Sequence, residues 1–386
     1  MSRPLKIAVI AGEESGELLA ADLIRALQSN TQREIKLIGV GGHELSGLGL
    51  KSLFPSSDIA LMGLSAIVKD LPRLISRIGS TARYIAAEQP DCLITVDSPD
   101  FNLRVAAKVR ASAPKIPIIH YVCPSVWAWR PGRARAMRPY VDHILCLLPF
   151  EPEELVRLGG PPGTFVGHRL SHYTGILKAA RRQREKSSRD PAEPAKLLLL
   201  PGSRKGEVRA LIEPFREIVE ILHARGRKLE MVLPTVSNVA ALVQQAVSAW
   251  PEKPKILLGQ DEKWGAFGEA DAALIASGTV ALELALSDVP MISTYKLDPV
   301  ARVARKWITA WSASLPNLIA DRVVVPEYID EMLRPAYVAR QLESLMDDTA
   351  FRQWQKQGFD EVRHRMQTAR PSGELAAEVV LQSIAK

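Results

Sequence analysis

Short apolar runs that stop at Gly, Pro or Asp alternate along this chain with longer stretches whose apolar residues recur every three to four positions. Uninterrupted runs of that length read as strands buried on both faces. The stretches between them read as crossover helices, so the pattern predicts parallel sheets built from βαβ units. In the first half it predicts strands over Lys6–Ala11, Ile35–Val40, Cys92–Asp97, Pro117–Tyr121, His143–Leu148 and Gly163–Val166. In the second half they fall over Lys196–Leu200, Leu229–Leu233, Lys255–Leu258, Ala272–Ala276 and Pro290–Thr294. Helical spacing closes the chain over Arg334–Met346, Phe351–Met366 and Gly373–Ile384.

The halves are separated by KAARRQREKSSRDPAEPAK, which has no apolar residue larger than alanine, the composition of a linker or an exposed helix leading into one. The expected organisation is a first domain over residues 1–177, a linker over 178–195, a second domain over 196–365 and a terminal helix over 366–386 able to return to the first domain. The expected fold class is α/β, with two Rossmann-like doubly wound domains facing a cleft at the carboxyl ends of their strands.

Composition narrows the partners. At 386 residues and 47% hydrophobic content, the chain has material for two domains, which excludes disorder and a small disulfide-stapled fold. Its 50 Lys and Arg against 43 Asp and Glu leave +7, suited to a nucleotide, a phosphorylated substrate or an anionic membrane surface. Cys92, Cys123 and Cys146 lack CxxC spacing, so neither a disulfide framework nor a metal site is expected, and a reducing cytoplasm is. No apolar run approaches the ~18 residues of a spanning helix, and the opening segment reaches Gly and Glu too soon for a secretory signal.

Candidate chemistry lies on the loops after the predicted strands. After the first comes AGEESGE, where glycines allow a tight turn into a helix. Glu13 and Glu14 oppose a bare phosphate there. The loop therefore either grasps a sugar hydroxyl or places a carboxylate in the cleft, or it simply starts a helix that Ser15 caps and whose dipole the glutamates favour. VDSPDFN puts Asp97 at a strand end, where burial can raise a carboxyl pKa for general-base work, while Asp100 reads as the cap of the next helix.

HYVCPSVWAWRPGRARAMR combines Trp127 and Trp129 with interleaved arginines, suited either to a sugar face or a lipid headgroup region or to an ordinary packed loop with a solvated basic helix; no nucleic-acid motif accompanies it. LLLLPGSRKGEV turns at Gly202 and Ser203 and carries Arg204 where a pyrophosphate would meet a helix N-terminus. In ASGTVALE, Ser277, Gly278 and Thr279 make a second small-residue turn, with Glu283 placed to accept from ribose hydroxyls. Two such turns in one domain predict a nucleotide-diphosphate site.

Residues 61–86 form a basic amphipathic stretch in which Leu64, Val68 and Leu71 share spacing with Lys69, Arg73 and Arg77. It is either an interfacial helix on anionic lipid or a core-facing helix with a solvated basic side.

Taken in order, AGEESGE, VDSPDFN, HYVCPSVWAWR, FVGH, LLPGSR, ASGTVALE and SLPNLIA closely resemble the lipid-A-disaccharide synthase family, from about Leu5 to Pro326. The chain departs from it at Glu17, where the family commonly has Asp, and at Cys123, where Ser is usual.

The resemblance implies a GT-B-type architecture, with nucleotide held mainly by the second domain and acceptor by the first. It implies a transfer from UDP-2,3-diacylglucosamine to 2,3-diacylglucosamine 1-phosphate (lipid X), giving the β-1,6-linked disaccharide 1-phosphate and UDP without cofactor or metal. It also gives Asn317 of SLPN a part in donor orientation. An inverting reaction of this kind needs a base, for which Asp97 ranks ahead of Glu13 and Asp100, and a cation for the departing diphosphate, Arg204. Acylated substrates favour the interfacial reading of 61–86, hence a peripheral enzyme on the cytoplasmic face of the inner membrane, with a homodimer as one assembly open to it. A UDP-sugar epimerase on the same scaffold and a non-catalytic nucleotide- and lipid-binding protein are the competing readings.

Overall fold

The computed structural model describes residues 3–60, 67–187, 189–190, 192–297 and 307–385, with the side chains of residue 60 and residues 67–71 outside the description. Two compact units result: unit 1 is Met1–Arg169 with Thr368–Lys386, and unit 2 is Leu170–Gln367.

Unit 1 holds β1 (Leu5–Ala11), β2 (Ile35–Val40), β3 (Cys92–Val96), β4 (Ile118–Tyr121), β5 (His143–Cys146) and β6 (Gly163–Phe165), in the order β2-β1-β3-β4-β5-β6. All pairs are parallel. The strands read as continuous apolar runs because both faces are covered. Leu5, Ile7, Val9 and Ala11 of β1 join one apolar cluster, while Ala8 and Ile10, pointing the other way, join a second. The helix Ser372–Ile384 supplies Ala376, Ala377 and Val380 to the first cluster, beside Leu19, Leu23 and Leu27 of the helix Glu14–Asn30. Gly373 is what permits the approach, since a Cβ there would lie 2.8 Å from the Asp22 carbonyl oxygen.

Unit 2 repeats the design with β7 (Ala195–Leu200), β8 (Leu229–Pro234), β9 (Lys255–Leu257), β10 (Ala272–Ala276), β11 (Met291–Tyr295) and β12 (Glu327–Ile329), ordered β12-β11-β10-β7-β8-β9 and again parallel. β12 was not predicted. Its three half-buried residues are too few to carry a period.

The expected linker over 178–195 also differs. The helix Thr174–Glu185 occupies its first part and packs within unit 2 on the helix Gln260–Glu269, with Gln183 Nε2 donating to the Phe267 and Ala270 carbonyls at 2.8 Å. The small residues that resembled a linker, Ala179 and Ala180, are buried and allow that close packing. The unit boundary accordingly falls at Arg169/Leu170, ahead of the expected residue 177, and the return to unit 1 falls at Gln367/Thr368.

Each sheet has a switch point, where successive connections leave in opposite directions and open a crevice at the strand ends. In unit 1 it lies between β1 and β3, and in unit 2 between β7 and β10. Among the described residues, no helix is long and apolar enough to cross a membrane.

Candidate active site

The loops after β7, β8, β9 and β10 enclose a pocket of about 410 Å³ at the unit 2 switch point. Gly202, Ser203, Arg204, Ser277, Gly278, Thr279 and Glu283 all line it. Gly202 adopts φ +113°, and a Cβ there would lie 2.6 Å from Glu207 Cβ, so the turn requires glycine.

The two helices entering the pocket end differently. Lys205–Ala224 is capped by its own Glu207, whose Oε2 accepts from the Ser203 and Arg204 amides at 3.1 and 3.2 Å. Thr279–Leu286 begins at Gly278 without any side-chain cap, and so presents the positive end of its dipole to the pocket. Arg204 pairs with Glu207 at 3.0 Å while its side chain stays 81% exposed; a surface pair of this kind holds the guanidinium weakly and leaves it able to turn to an anion. Glu283 meets Lys263, a pocket residue that no sequence motif contained.

Asn317 lies elsewhere. It is buried and outside the pocket lining, and its amide is consumed internally. Nδ2 donates to Ser312 Oγ, the Val325 carbonyl and Glu327 Oε2, while Oδ1 accepts from the Val324 and Val325 amides at 2.8 and 2.7 Å. Since these contacts use both ends of the amide, Asn317 ties the helix Leu315–Ala320 to the segment leading into β12.

At the unit 1 switch point, Asp97 sits one residue beyond β3 with φ +52°, followed by Ser98 at φ +42°. Two successive non-glycine residues in the left-handed region carry strain, of order 1–3 kcal/mol each. Asn102, also missed in the sequence although VDSPDFN contains it, holds the turn: its buried Nδ2 donates to the Val96 and Asp97 carbonyls at 2.9 and 2.7 Å. Burial raises the Asp97 carboxyl above its ordinary pKa, against the lowering effect of the Ser98 amide.

The AGEESGE loop comes beside this turn, for a Cβ on Gly16 would lie 3.7 Å from Asp97 Cβ. Glu13 is the residue before the helix Glu14–Asn30 and is exposed, as is Ser15 inside its first turn. Ser15 is therefore not the cap. Asp100 is not a cap either: Ser98 holds that position, and Asp100, in the first turn, pairs with Arg133 at 2.6 Å and Arg130 at 4.0 Å.

The tryptophan loop divides into an anchored and a presented ring. Trp127 Nε1 donates to Glu151 Oε1 at 3.2 Å, and its ring packs edge-on against Phe150. Glu151 is buried and also accepts from the Leu147 and Leu148 amides at 3.0 Å; burial pushes its pKa up to about 7. Trp129 is 43% exposed, with the Arg130 guanidinium 4.0 Å above its ring. His120 is buried against Thr95 Oγ1 at 2.8 Å, with its pKa lowered by burial to about 3, which makes it a neutral core histidine. Cys123 and Cys146, distant in sequence, converge with Glu151 so that their ligand-type atoms lie within 4.8 Å of one another. That carboxylate is already engaged by three donors.

Of the amphipathic stretch, Leu64 lies outside the described residues, and the side chains of Val68, Lys69 and Leu71 are likewise outside the description. From residue 72 onward, the helix Ile67–Glu88 sends Leu74, Ile78, Ala82 and Ile85 into the unit 1 core. Arg73 and Arg77 both pair with Asp58, at 2.9 and 3.2 Å. This half of the stretch is a core helix whose arginines are tied to the protein.

The fold is similar to that of MurG from Acinetobacter baumannii, with a TM-score of 0.58 at 14% identity over 98% of this chain and 100% of that chain. It is also similar to a UDP-GlcNAc 2-epimerase from Neisseria meningitidis, with a TM-score of 0.57 at 11% identity over 99% and 100%. Two parallel doubly wound units with a pocket at the switch point of the second define the class as GT-B.

A family model described as lipid-A-disaccharide synthetase matches residues 7–384. The lipid-A-disaccharide synthase of Nitrobacter winogradskyi is 45% identical over 98% of this chain and 96% of its own length, and that of Bradyrhizobium diazoefficiens is 42% identical over 99% and 97%. This chain belongs to the lipid-A-disaccharide synthase family.

Proposed function

We infer that this chain transfers 2,3-diacylglucosamine from UDP-2,3-diacylglucosamine to 2,3-diacylglucosamine 1-phosphate, releasing UDP and the β-1,6-linked disaccharide 1-phosphate. Family membership over nearly the whole chain supports the reaction. The observation that carries the assignment of parts is the unit 2 pocket, where an exposed arginine, an uncapped helix end and a carboxylate stand together.

In this reading the diphosphate lies against the Gly278–Thr279 end and Arg204, with Gly202, Ser203 and Ser277 allowing close backbone approach, and Glu283 accepts from the ribose hydroxyls. Asn317 acts through the backbone it ties together. Asp97 takes the proton of the acceptor 6-hydroxyl as that oxygen bonds to the donor anomeric carbon. The bond to UDP breaks on the opposite face, and Arg204 offsets the charge left on the diphosphate, so the configuration inverts in a single displacement. Glu13 is the alternative base, and Ser15 and Trp129 contact the acceptor sugar while Trp127 anchors their surroundings. No step calls for a metal or cofactor.

In this reading Leu64, Val68 and Lys69 take part in membrane interaction, while Arg73 and Arg77 pair with Asp58. The enzyme thus works as a peripheral protein on the anionic cytoplasmic face of the inner membrane, alone or as a homodimer. Incubation with both acyl sugars tests the reading: tetraacyl disaccharide and UDP are expected in equal amounts, whereas an epimerised or unchanged donor would overturn it.

A further inference from the structure

Lys263 stands in the unit 2 pocket without a part in the chemistry described so far. On the helix Gln260–Glu269 it places Nζ 2.5 Å from Glu283 Oε2, with the two side chains 19% and 16% exposed. The same ammonium lies 4.3 Å from the ring centroid of Trp264 and 5.6 Å from that of Phe267, both buried. Two aromatic faces thus fix where the cation sits, and the cation fixes one oxygen of the carboxylate.

A lone carboxylate at a largely covered pocket wall would be free to rotate about its last bond. An ammonium paired with one oxygen opposes that rotation, and it leaves the second oxygen, with two lone pairs, for donors arriving from the pocket. The neighbouring cation, Arg204, contrasts with it: 81% exposed and weakly held, it is suited to move with a ligand, whereas Lys263 is held on three sides.

We propose that Lys263 is a positioning residue for the donor nucleotide, pinning Glu283 Oε2 so that Oε1 accepts from the 2′- and 3′-hydroxyls, and thereby setting the preference for a ribonucleotide over its 2′-deoxy counterpart. The inference rests on the reading that Glu283 takes the ribose. A lysine acting only to stabilise the helix packing would leave that preference unchanged, because it would weaken both nucleotides alike or neither.

The test is calorimetric binding of UDP and 2′-deoxy-UDP to the whole protein and to Lys263→Met, Lys263→Gln and Lys263→Arg, with thermal unfolding of each. The parent should prefer UDP by about tenfold or more, the loss of one hydrogen bond to a charged acceptor. Lys263→Met should bind UDP about tenfold more weakly yet 2′-deoxy-UDP within about threefold of the parent, so that the preference collapses. Lys263→Gln gives the same readout if the methionine variant fails to fold, and Lys263→Arg should restore most of the preference. An unchanged ratio in folded Met and Gln variants overturns the proposal. The underlying ribose reading fails separately, if the parent shows no preference or if Glu283→Gln binds UDP as the parent does.

Discussion

The two switch points of this molecule are both set in parallel six-stranded sheets, with one strand beyond β1 in unit 1 and two beyond β7 in unit 2, and they are furnished differently. In unit 2 the strand ends meet glycine turns, an uncapped helix terminus and side chains that are exposed or paired at the pocket rim, features suited to an anion and a sugar. In unit 1 the corresponding loop carries a half-buried carboxyl on the first of two left-handed residues, in a turn held by the Asn102 amide, and desolvation pushes it toward its protonated form. A site for recognition spreads its contacts over backbone; a site for proton transfer concentrates strain and desolvation on one group.

If this division holds, substitutions on the two sides separate turnover from nucleotide affinity. The largest effect belongs to Asp97→Asn, which keeps size and hydrogen bonding but cannot take a proton; turnover should fall by several orders of magnitude, against much smaller losses in Asp100→Asn and Glu13→Gln. The parent's pH profile sharpens this. A base must be ionised, and the Asp97 pKa is raised, so turnover should decline with acidification at a pH above the ordinary carboxylate range. An acid limb at an ordinary carboxylate pKa would point away from Asp97.

Next is Arg204→Ala, expected to lower turnover about a hundredfold, equivalent to ~3 kcal/mol of leaving-group stabilisation, while thermal stability stays at the parent value because the side chain is exposed. Turnover within about threefold of the parent would remove it from the mechanism.

A smaller effect tests the membrane reading of residues 61–86, whose helix Ile67–Glu88 sends Leu74, Ile78, Ala82 and Ile85 into the unit 1 core. Serine at Leu64, Val68 and Leu71 together should weaken binding to anionic vesicles about tenfold with little change in melting temperature. A melting temperature lower by more than about 10 °C with vesicle affinity retained would make the whole stretch a core helix.

The smallest is a pH effect on stability from Glu151. Its folded pKa of about 7 lies above the ordinary value, so the native state binds the proton more tightly than the unfolded chain does. The stabilisation this group contributes is fully present below about 4.5 and is lost as pH rises through about 7. Unfolding of the parent compared with Glu151→Gln should diverge across that window, and parallel curves would contradict the assignment.

Much of the architecture was legible because parallel strands covered on both faces leave uninterrupted apolar runs, as residues 7–11 and Ala272–Ala276 do. β12 escaped because three residues carry no period, and the helix Thr174–Glu185 because alanine serves a close packing surface as well as a linker.

The pocket motifs were readable as turns at strand ends, since a turn is local. Lys263 was not, because a lysine on a helix is ordinarily solvated and only the fold brings it to Glu283, twenty positions away. Asn102 and Glu151 share that property: their partners are backbone groups and an indole that only folding assembles. Asn317 was recognisable in its motif, but the internal use of its amide depends on Val324, Val325 and Glu327 folding back over it.

The most direct measurement is the dissociation constant of UDP for the Asp97→Asn protein, taken beside its turnover on the same preparation. With chemistry assigned to Asp97 and nucleotide binding to the unit 2 pocket, the affinity should equal that of the parent while turnover is lost. A UDP affinity weakened in proportion to turnover, or turnover retained at about a tenth of the parent value, would contradict that assignment.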